Sequence, residues 1–235
     1  MGKLDGKTAL ITGASKGIGE GIARTFVKHG ARVVLAARGQ GVEDMAAQLR
    51  TEGAQAVAVR MDVSDMDSVR AGYEAGVKEF GQIDILVSNA GICRLGDFLT
   101  QSDEDRDAHL DINVKGAWNT CKAVLPGMVE RKWGKIVIMS SVTGDMVADP
   151  GEAAYAMSKA ALVGLTKALA REFAPYVNVN AICPGYVLTP MVRGMADQSC
   201  PENPQSVIDG IAASIPLGRL ADPREVGELA AFLSS

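Results

Sequence analysis

Histidine is nearly absent from this chain: His29 and His109 are the only two, far apart, and they give no metal-ligand spacing. The four cysteines, Cys93, Cys121, Cys183 and Cys200, are widely separated and include no C-x-x-C pair. They fit buried thiols in a reducing compartment better than a disulfide framework. No apolar stretch reaches the roughly 18 to 20 residues that span a bilayer, and Met1-Gly2-Lys3-Leu4-Asp5 has no apolar leader segment. There is no Lys/Arg run, and the net charge of −4 gives no general attraction to a phosphate backbone. Internal repeats, low-complexity tracts and linkers are also missing. These absences predict a soluble, cytoplasmic chain with neither nucleic acid nor a membrane among its partners.

What is present suits one well-cored α/β domain spanning residues 1–235, with 47% hydrophobic and 22% charged residues. Apolar runs recur at Thr8–Ile11, Arg32–Ala36, Ala56–Val59, Ile83–Val87, Ile136–Met139 and Val177–Ile182. Helical patterns lie between them, at Gly41–Glu52, Asp65–Phe80, Asp103–Glu130 and Glu152–Phe173. This alternation predicts a parallel sheet with helices on both faces, a three-layer αβα arrangement. Ligands then bind beyond the carboxyl ends of the strands, where strand order reverses. Ser102 with Asp105 reads as a helix cap, and Asp222-Pro223 as an N-cap with a first-turn proline. Residues 185–216 read as a lid over the site.

The first of those loops, Thr12-Gly13-Ala14-Ser15-Lys16-Gly17-Ile18-Gly19, joins an apolar run to an amphipathic helical stretch. Glycines let the backbone turn sharply and approach a pyrophosphate, and the amides of the following helix offer positive ends to the anion. The spacing Gly-x-x-x-Gly-x-Gly departs from the more familiar G-x-G-x-x-G, and a chance glycine turn is the plain alternative. The same residues also fit G-x-S-x-G, the nucleophile elbow of hydrolases. A hydrolase needs an earlier strand for its oxyanion loop, yet only eleven residues precede Thr12, and it needs a late histidine, where only His109 follows.

About 20 residues past such a loop, an acid commonly holds the ribose 2′-OH of NAD. Here that place reads Ala37-Arg38, and no acid comes before Glu43. A planar guanidinium grips a 2′-phosphate, and Lys16 adds a second cation, so NADP(H) is preferred, with NAD(H) possible. The alternative is that both are ordinary solvated surface cations. Asp62 either accepts from the adenine amine or caps a helix.

Tyr155 and Lys159 stand four apart where helical periodicity begins, so phenol and ammonium share a face. Lowering a phenol from ~10 by ~3 units requires a differential of ~4 kcal/mol. One cation at ~4 Å and an effective dielectric of ~20 supplies about that much, so Lys159, aided by the positive nicotinamide of an oxidised cofactor, is sufficient to depress Tyr155. Ser141, at the end of a strand, can donate to a carbonyl oxygen as hydride reaches carbon. Asn113 can organise a water or a backbone contact that connects Lys159 to solvent.

Taken together, Thr12 to Gly19, Asp62-Val63, Asn89-Ala90-Gly91, Asn113, Ser141, Tyr155/Lys159 and Pro184-Gly185 resemble the short-chain dehydrogenase/reductase family over nearly the whole chain. The resemblance implies a Rossmann-like doubly wound sheet and a catalytic tetrad of Asn113, Ser141, Tyr155 and Lys159. It implies cofactor contacts from Gly13, Ser15, Lys16, Gly17, Ile18, Gly19, Arg38, Asp62, Val63, Asn89, Ala90 and Gly91, as well as from Tyr155 and Lys159. The nicotinamide would lie near Pro184, Gly185, Val187 and Thr189, and the assembly would be a homotetramer, or a dimer. Ser88 stands where the family usually has Asn, and the Ser141–Tyr155 interval is one residue longer than the commonest. The link Ala174-Pro175-Tyr176-Val177 is short, and the chain stops where the family continues into a seventh edge strand, which leaves six.

The leading reading is NADP(H)-dependent interconversion of a secondary alcohol and a ketone on a small molecule. Cys93, Arg94, Asp145, Asp149 and Glu152 are the loop residues that would read its hydroxyls. A second reading, reduction of 3-oxoacyl chains on acyl carrier protein, needs a basic docking patch. Arg131, Lys132 and Arg171 supply part of one, but no cation stands at Pro175-Tyr176. A third reading, from another class, is an NADP-sensing binding module without turnover.

Overall fold

The computed structural model describes residues 2–235. Six strands, β1 (Thr8–Thr12), β2 (Arg32–Ala37), β3 (Ala56–Arg60), β4 (Ile85–Ser88), β5 (Gly134–Met139) and β6 (Val177–Ile182), lie in one sheet of order β3-β2-β1-β4-β5-β6. Every pairing is parallel. The intervening helices are α1 (Gly17–Lys28), α2 (Gly41–Thr51), α3 (Met66–Phe80), α4 (Asp103–His109), α5 (Gly116–Glu130) and α6 (Ala153–Glu172), followed by α7 (Pro190–Ser199), α8 (Pro204–Ser214) and α9 (Pro223–Leu233). The order reverses between β1 and β4, so the loops after these two strands diverge and leave a crevice between them.

The strands are apolar on both sides because both sides are covered. Ala9, Ile11, Val33 and Leu35 pack with Phe26 of α1, Leu49 of α2 and Ala230 of α9. Their neighbours Leu10, Val34 and Ala36 point the other way, into a core shared with Val69 of α3, Val124 of α5 and Leu162 of α6. This is the Rossmann-like three-layer sandwich that the alternation predicts. A small third cluster, Ala196, Ile208 and Leu220, holds α7 against α8. Residues 185–216 are therefore largely a helix pair, each member started by a side-chain cap, Thr189 or Asn203, and a following proline.

Two further caps match the sequence reading. The Ser102 hydroxyl accepts from the Asp105 amide at 3.2 Å, and Asp222 forms a full capping box with Glu225. The single helical pattern over 103–130, in contrast, is broken by a π-helical turn, Leu110–Lys115, between α4 and α5. A π turn inserts an extra residue and rotates the helical face beyond it; here it accompanies an inward-facing Asn113, whose amide bonds other backbone.

Helix α9 crosses α1 at two glycines. A Cβ on Gly21 would lie 2.6 Å from the Pro223 carbonyl carbon, and one on Gly227 would lie 3.0 Å from the Gly21 oxygen. At the rim of the same contact, His29 Nε2 and Glu228 Oε2 are 2.8 Å apart. Gly21→Ala should therefore lower the free energy of unfolding by about 1–3 kcal/mol in urea denaturation, as overpacking does. An unchanged midpoint would mean that the two backbones can separate without loss.

Candidate functional site

The crevice begins with Thr12. Its hydroxyl accepts from the amides of Asn89 and Ala90, both at 3.0 Å, and binds the end of β1 to the loop after β4. Asn89 returns the contact, its Nδ2 donating to the Thr12 carbonyl at 2.9 Å and to that of Gly13 at 3.4 Å. Gly13 has φ +65°, and a Cβ there would lie 2.9 Å from the Ala90 Cα. A Cβ on Gly19 would lie 2.7 Å from Asn89 Nδ2 and collide with the Gly13 carbonyl. Lys16 occupies the N-cap position of α1 in extended conformation and makes no side-chain cap bond. The first-turn amides thus lack a side-chain partner, as an anion site requires.

This loop forms one wall of a cleft of about 230 Å³ that Gly13, Ser15, Lys16, Gly17 and Ile18 line together with Asn89, Ala90 and Gly91. Tyr155, Lys159 and Thr189 close its inner end. A second cavity of about 150 Å³ adjoins it, and Tyr155, Thr189 and Ile18 are common to both. Ser141, Pro184, Gly185 and Val187 line that second space. Gly19 packs behind the loop instead of lining it, and Val63 is buried, its carbonyl accepting from Asn119 at 2.9 Å.

Arg38, at the end of β2, is exposed, and its Nη1 lies 3.9 Å from Asp62 Oδ2. Asp62 is no helix cap. Its Oδ1 accepts from both the amide and the hydroxyl of Ser64, which with Arg38 and Lys115 nearby holds its carboxyl below the usual range. The N-cap of α3 is Asp65. Glu43, the first acid after the strand, is held by Arg60 at 2.8 Å, and the same guanidinium donates to the Arg38 carbonyl at 3.3 Å.

At the inner end, Lys159 is buried and donates from Nζ to the Met139 carbonyl at 2.8 Å, its charge 5.6 Å from the centre of the Tyr155 ring. Ser140 bonds the Lys159 carbonyl at 2.8 Å and fixes the start of α6 against β5. The protein's own groups set the two pKa values through burial. Burial pushes the Tyr155 phenol up to about 12, against a smaller opposite pull from Ser141, and burial brings the Lys159 ammonium down to about 8. Desolvation is the largest influence on both groups.

Asn113 is wholly engaged. Its Oδ1 accepts from the Ile92 amide at 2.8 Å, and its Nδ2 donates to the Ile92 carbonyl at 3.0 Å and to Ser158 Oγ at 2.9 Å. It sits beside Lys159 across Gly91, where a Cβ would lie 3.1 Å from Asn113 Oδ1 and 3.6 Å from Lys159 Nζ. The Ser158 hydroxyl in turn donates to the Tyr155 carbonyl at 2.7 Å. Neither Ser158 nor His109 stands out in the sequence as a site residue. His109 is fully buried, with its ring edge-on to Tyr155 at 6.3 Å. Its Nε2 accepts from the Arg94 amide at 3.0 Å, so Nδ1 carries the proton that goes to the Asp105 carbonyl at 2.7 Å. The signal was only a lone histidine in a polar helical turn.

Of the loop residues, Cys93, Asp149 and Glu152 line the second cavity. Arg94 does not; it pairs with Asp105 at 2.7 Å on the surface, and Asp145 lines a separate shallow depression. Among the described residues no group of His, Cys, Asp or Glu could hold a metal ion, and no helix is long and apolar enough to cross a membrane.

A crevice walled by a glycine loop where strand order reverses is the place where open parallel α/β sheets bind their ligands. The sequence model of the short chain dehydrogenase family matches residues 7–199, and the chain belongs to this family of oxidoreductases. It is 62% identical over 236 residues to the oxidoreductase UcpA of Salmonella typhimurium, covering 100% of this chain and 90% of that protein. The 3-oxoacyl-acyl-carrier-protein reductase FabG of Vibrio cholerae is 36% identical over 99% of this chain and 91% of its own. Among solved structures, an actinorhodin polyketide ketoreductase variant crystallised with NADPH superposes with a TM-score of 0.93 at 37% identity, covering 100% of this chain and 92% of that one.

The buried ammonium makes a pH prediction. Folded Lys159 gives up its proton near pH 8, whereas in the unfolded chain it keeps it to about 10.5. Between those values the unfolded state binds more protons, so this group's contribution to stability rises with pH. The stability of wild type relative to Lys159→Met, with no nucleotide added, should increase by roughly 3 kcal/mol across that window. A difference that stays flat in pH-dependent denaturation would place the lysine in a solvated setting.

Proposed function

We propose that the chain is an NADP(H)-dependent oxidoreductase that interconverts a secondary alcohol and a ketone on a small molecule, with Tyr155 as general acid and base. The observation that carries this reading is the meeting of Ser141, Tyr155 and Lys159 at the junction of the two cavities. The residues fit a dinucleotide: the loop is packed against its neighbours more closely than a Cβ at Gly13 or Gly19 would allow, and the first-turn amides of α1 have no side-chain cap. Asp62, Val63 and Asn89-Ala90-Gly91 would hold the adenosine half and the middle, and Pro184, Gly185, Val187 and Thr189 the nicotinamide. When bound, that ring supplies or accepts the hydride.

Ser141 donates to the substrate oxygen, and Tyr155, kept protonated by burial, delivers its proton to the developing alkoxide in the reductive direction. In the oxidative direction Lys159 is the cation nearest the phenolate. Asn113 fixes the backbone of Ile92, and with it Gly91, against this pair.

Arg38 and Lys16 supply positive charge where a 2′-phosphate would lie, and Glu43, the first acid after the strand, is taken up by Arg60. The NADPH bound in the polyketide ketoreductase agrees with this choice. A cytoplasmic setting suits the four free cysteines. Exposed Trp118 on α5, Met157 on α6 and Phe232 on α9 are suited to subunit contacts in a homotetramer, or a dimer. Helices α7 and α8 act as the lid, with Met191 and Met195 over the second cavity. Docking of acyl carrier protein is less well supported, since Arg131 spends its guanidinium on the Ile83 carbonyl at 2.7 Å and Lys132 lies over the Tyr176 ring.

Fluorescence titration should show NADPH binding more tightly than NADH. Arg38→Ala should weaken NADPH by about tenfold or more, the worth of a charged hydrogen bond, and leave NADH nearly unchanged. Equal affinities in wild type would reduce Arg38 to a surface cation. Tyr155→Phe should cut turnover of a ketone by about 10²–10⁴ while keeping NADPH affinity. A wild type that binds NADPH yet turns over no carbonyl would favour a sensor.

A further inference from the structure

The second cavity carries charge of one sign only. Asp149 and Glu152 line it, with the Cys93 thiol, the Tyr186 phenol and the hydroxyls of Ser141 and Thr143, and no lysine or arginine does. Lys159 belongs to the neighbouring cleft, where the Met139 carbonyl holds it. Arg94, the cation nearest in sequence, is turned outward to Asp105, and the Gln101 side chain donates to its carbonyl at 3.2 Å.

Glu152 is fixed before any substrate arrives. Its Oε2 accepts from the Thr143 hydroxyl at 3.2 Å and from the Asp149 amide at 3.3 Å, which leaves Oε1 without a protein partner in the side-chain bonds. The same carboxylate is close enough to Tyr155, Tyr186 and Cys93 that each senses its charge. Burial pushes the Cys93 thiol up to about 11, so it adds a neutral neighbour and no second nucleophile.

A substrate carboxylate or phosphate entering here meets two acids in the lining and no lysine or arginine there, whereas a hydroxyl meets a held acceptor. The charge of the Lys159 ammonium reaches Cys93, but that group is held by the Met139 carbonyl. We propose that this cavity selects uncharged ketones and alcohols bearing a hydroxyl beside the reacting carbon, and that Glu152 is the residue that reads that hydroxyl. The inference rests on the reading of Tyr155 as the proton donor above and deepens it by naming the substrate class. The acidic wall makes the discrimination two-sided: it attracts the hydroxyl donor and repels the anion. The loops that carry the wall are joined by the Gly96 amide donating to the Gly151 carbonyl at 3.0 Å, which keeps Cys93 and Glu152 in the lining of one space.

The test compares three ketones of one skeleton, cyclohexanone, 2-hydroxycyclohexanone and 3-oxocyclohexane-1-carboxylate, by NADPH consumption with wild type and Glu152→Gln. Glutamine retains an acceptor for Thr143 but not the charge. Wild type should favour the hydroxyketone over the parent by about tenfold or more in kcat/KM and leave the carboxylate nearly unused, since a hydrogen bond to a charged group is worth that much. Glu152→Gln should cut the hydroxyketone preference about tenfold and raise turnover of the carboxylate. A wild type that uses the carboxylate as well as the hydroxyketone, or that prefers the parent, overturns the inference and leaves the oxidoreductase reading standing. So does a ratio unmoved by Glu152→Gln. If none of the three is consumed the inference also fails, and a silent NADPH titration alongside would bring down the reading of the whole site.

Discussion

Everything at this site depends on how closely two strand ends approach at the point where the sheet reverses order. The Thr12 hydroxyl receives two amides from the loop after β4, and Asn89 answers with its own side chain to the carbonyls of Thr12 and Gly13. These bonds pull two divergent loops together, and the glycines make that approach sterically possible. The backbone at Gly13 faces Ala90, and Gly19 sits against the Gly13 carbonyl, so an added methyl group at either position meets main chain that cannot turn aside. This wall of the cleft is therefore a consequence of main-chain packing.

At the inner end a second constraint operates, the cost of burying two ionisable groups side by side. Attraction between phenolate and ammonium competes with desolvation of each, and here desolvation is the larger effect. The carbonyl of Met139 accepts one of the three donors on Lys159 and partly offsets its loss of water. A phenol held neutral is suited to giving a proton away. That state comes from where β5 and α6 bring the residues, not from the four-residue spacing alone.

The sequence was informative wherever a pattern has one physical cause. Doubly covered strands must be apolar on both faces, and all six runs became strands with boundaries shifted by no more than two residues. The glycine loop and the Tyr155/Lys159 pair were legible for similar reasons, since tight turns and helix faces are set by local geometry. What escaped was set by tertiary contacts. The π turn after His109 accompanies an Asn113 whose amide satisfies the backbone of Ile92. Arg94 and Glu152 looked equivalent as loop residues until the Asp105 carboxylate drew one outward and Thr143 held the other inward. His109 gave no signal because its partners, an amide 15 residues before it and a carbonyl four residues before it, are main-chain groups that any sequence would offer.

The arrangement separates what must stay constant from what can change. The cradle is made by strand ends, the Thr12 and Asn89 side chains and close main-chain contacts. The second cavity is walled largely by loop residues, Cys93, Ser141–Thr143, Asp149, Glu152 and Pro184–Val187, and by α7, with the His109 ring, the Gly96–Gly151 contact and the Thr143–Glu152 pair among the bonds that hold the loops in place. Changing a residue in this wall alters the charge and shape that a substrate meets without moving Thr12, Asn89 or Lys159. Relatives with the same fold that act on different carbonyl compounds are what this division predicts, because the chemistry depends on the frame and the selectivity on the wall.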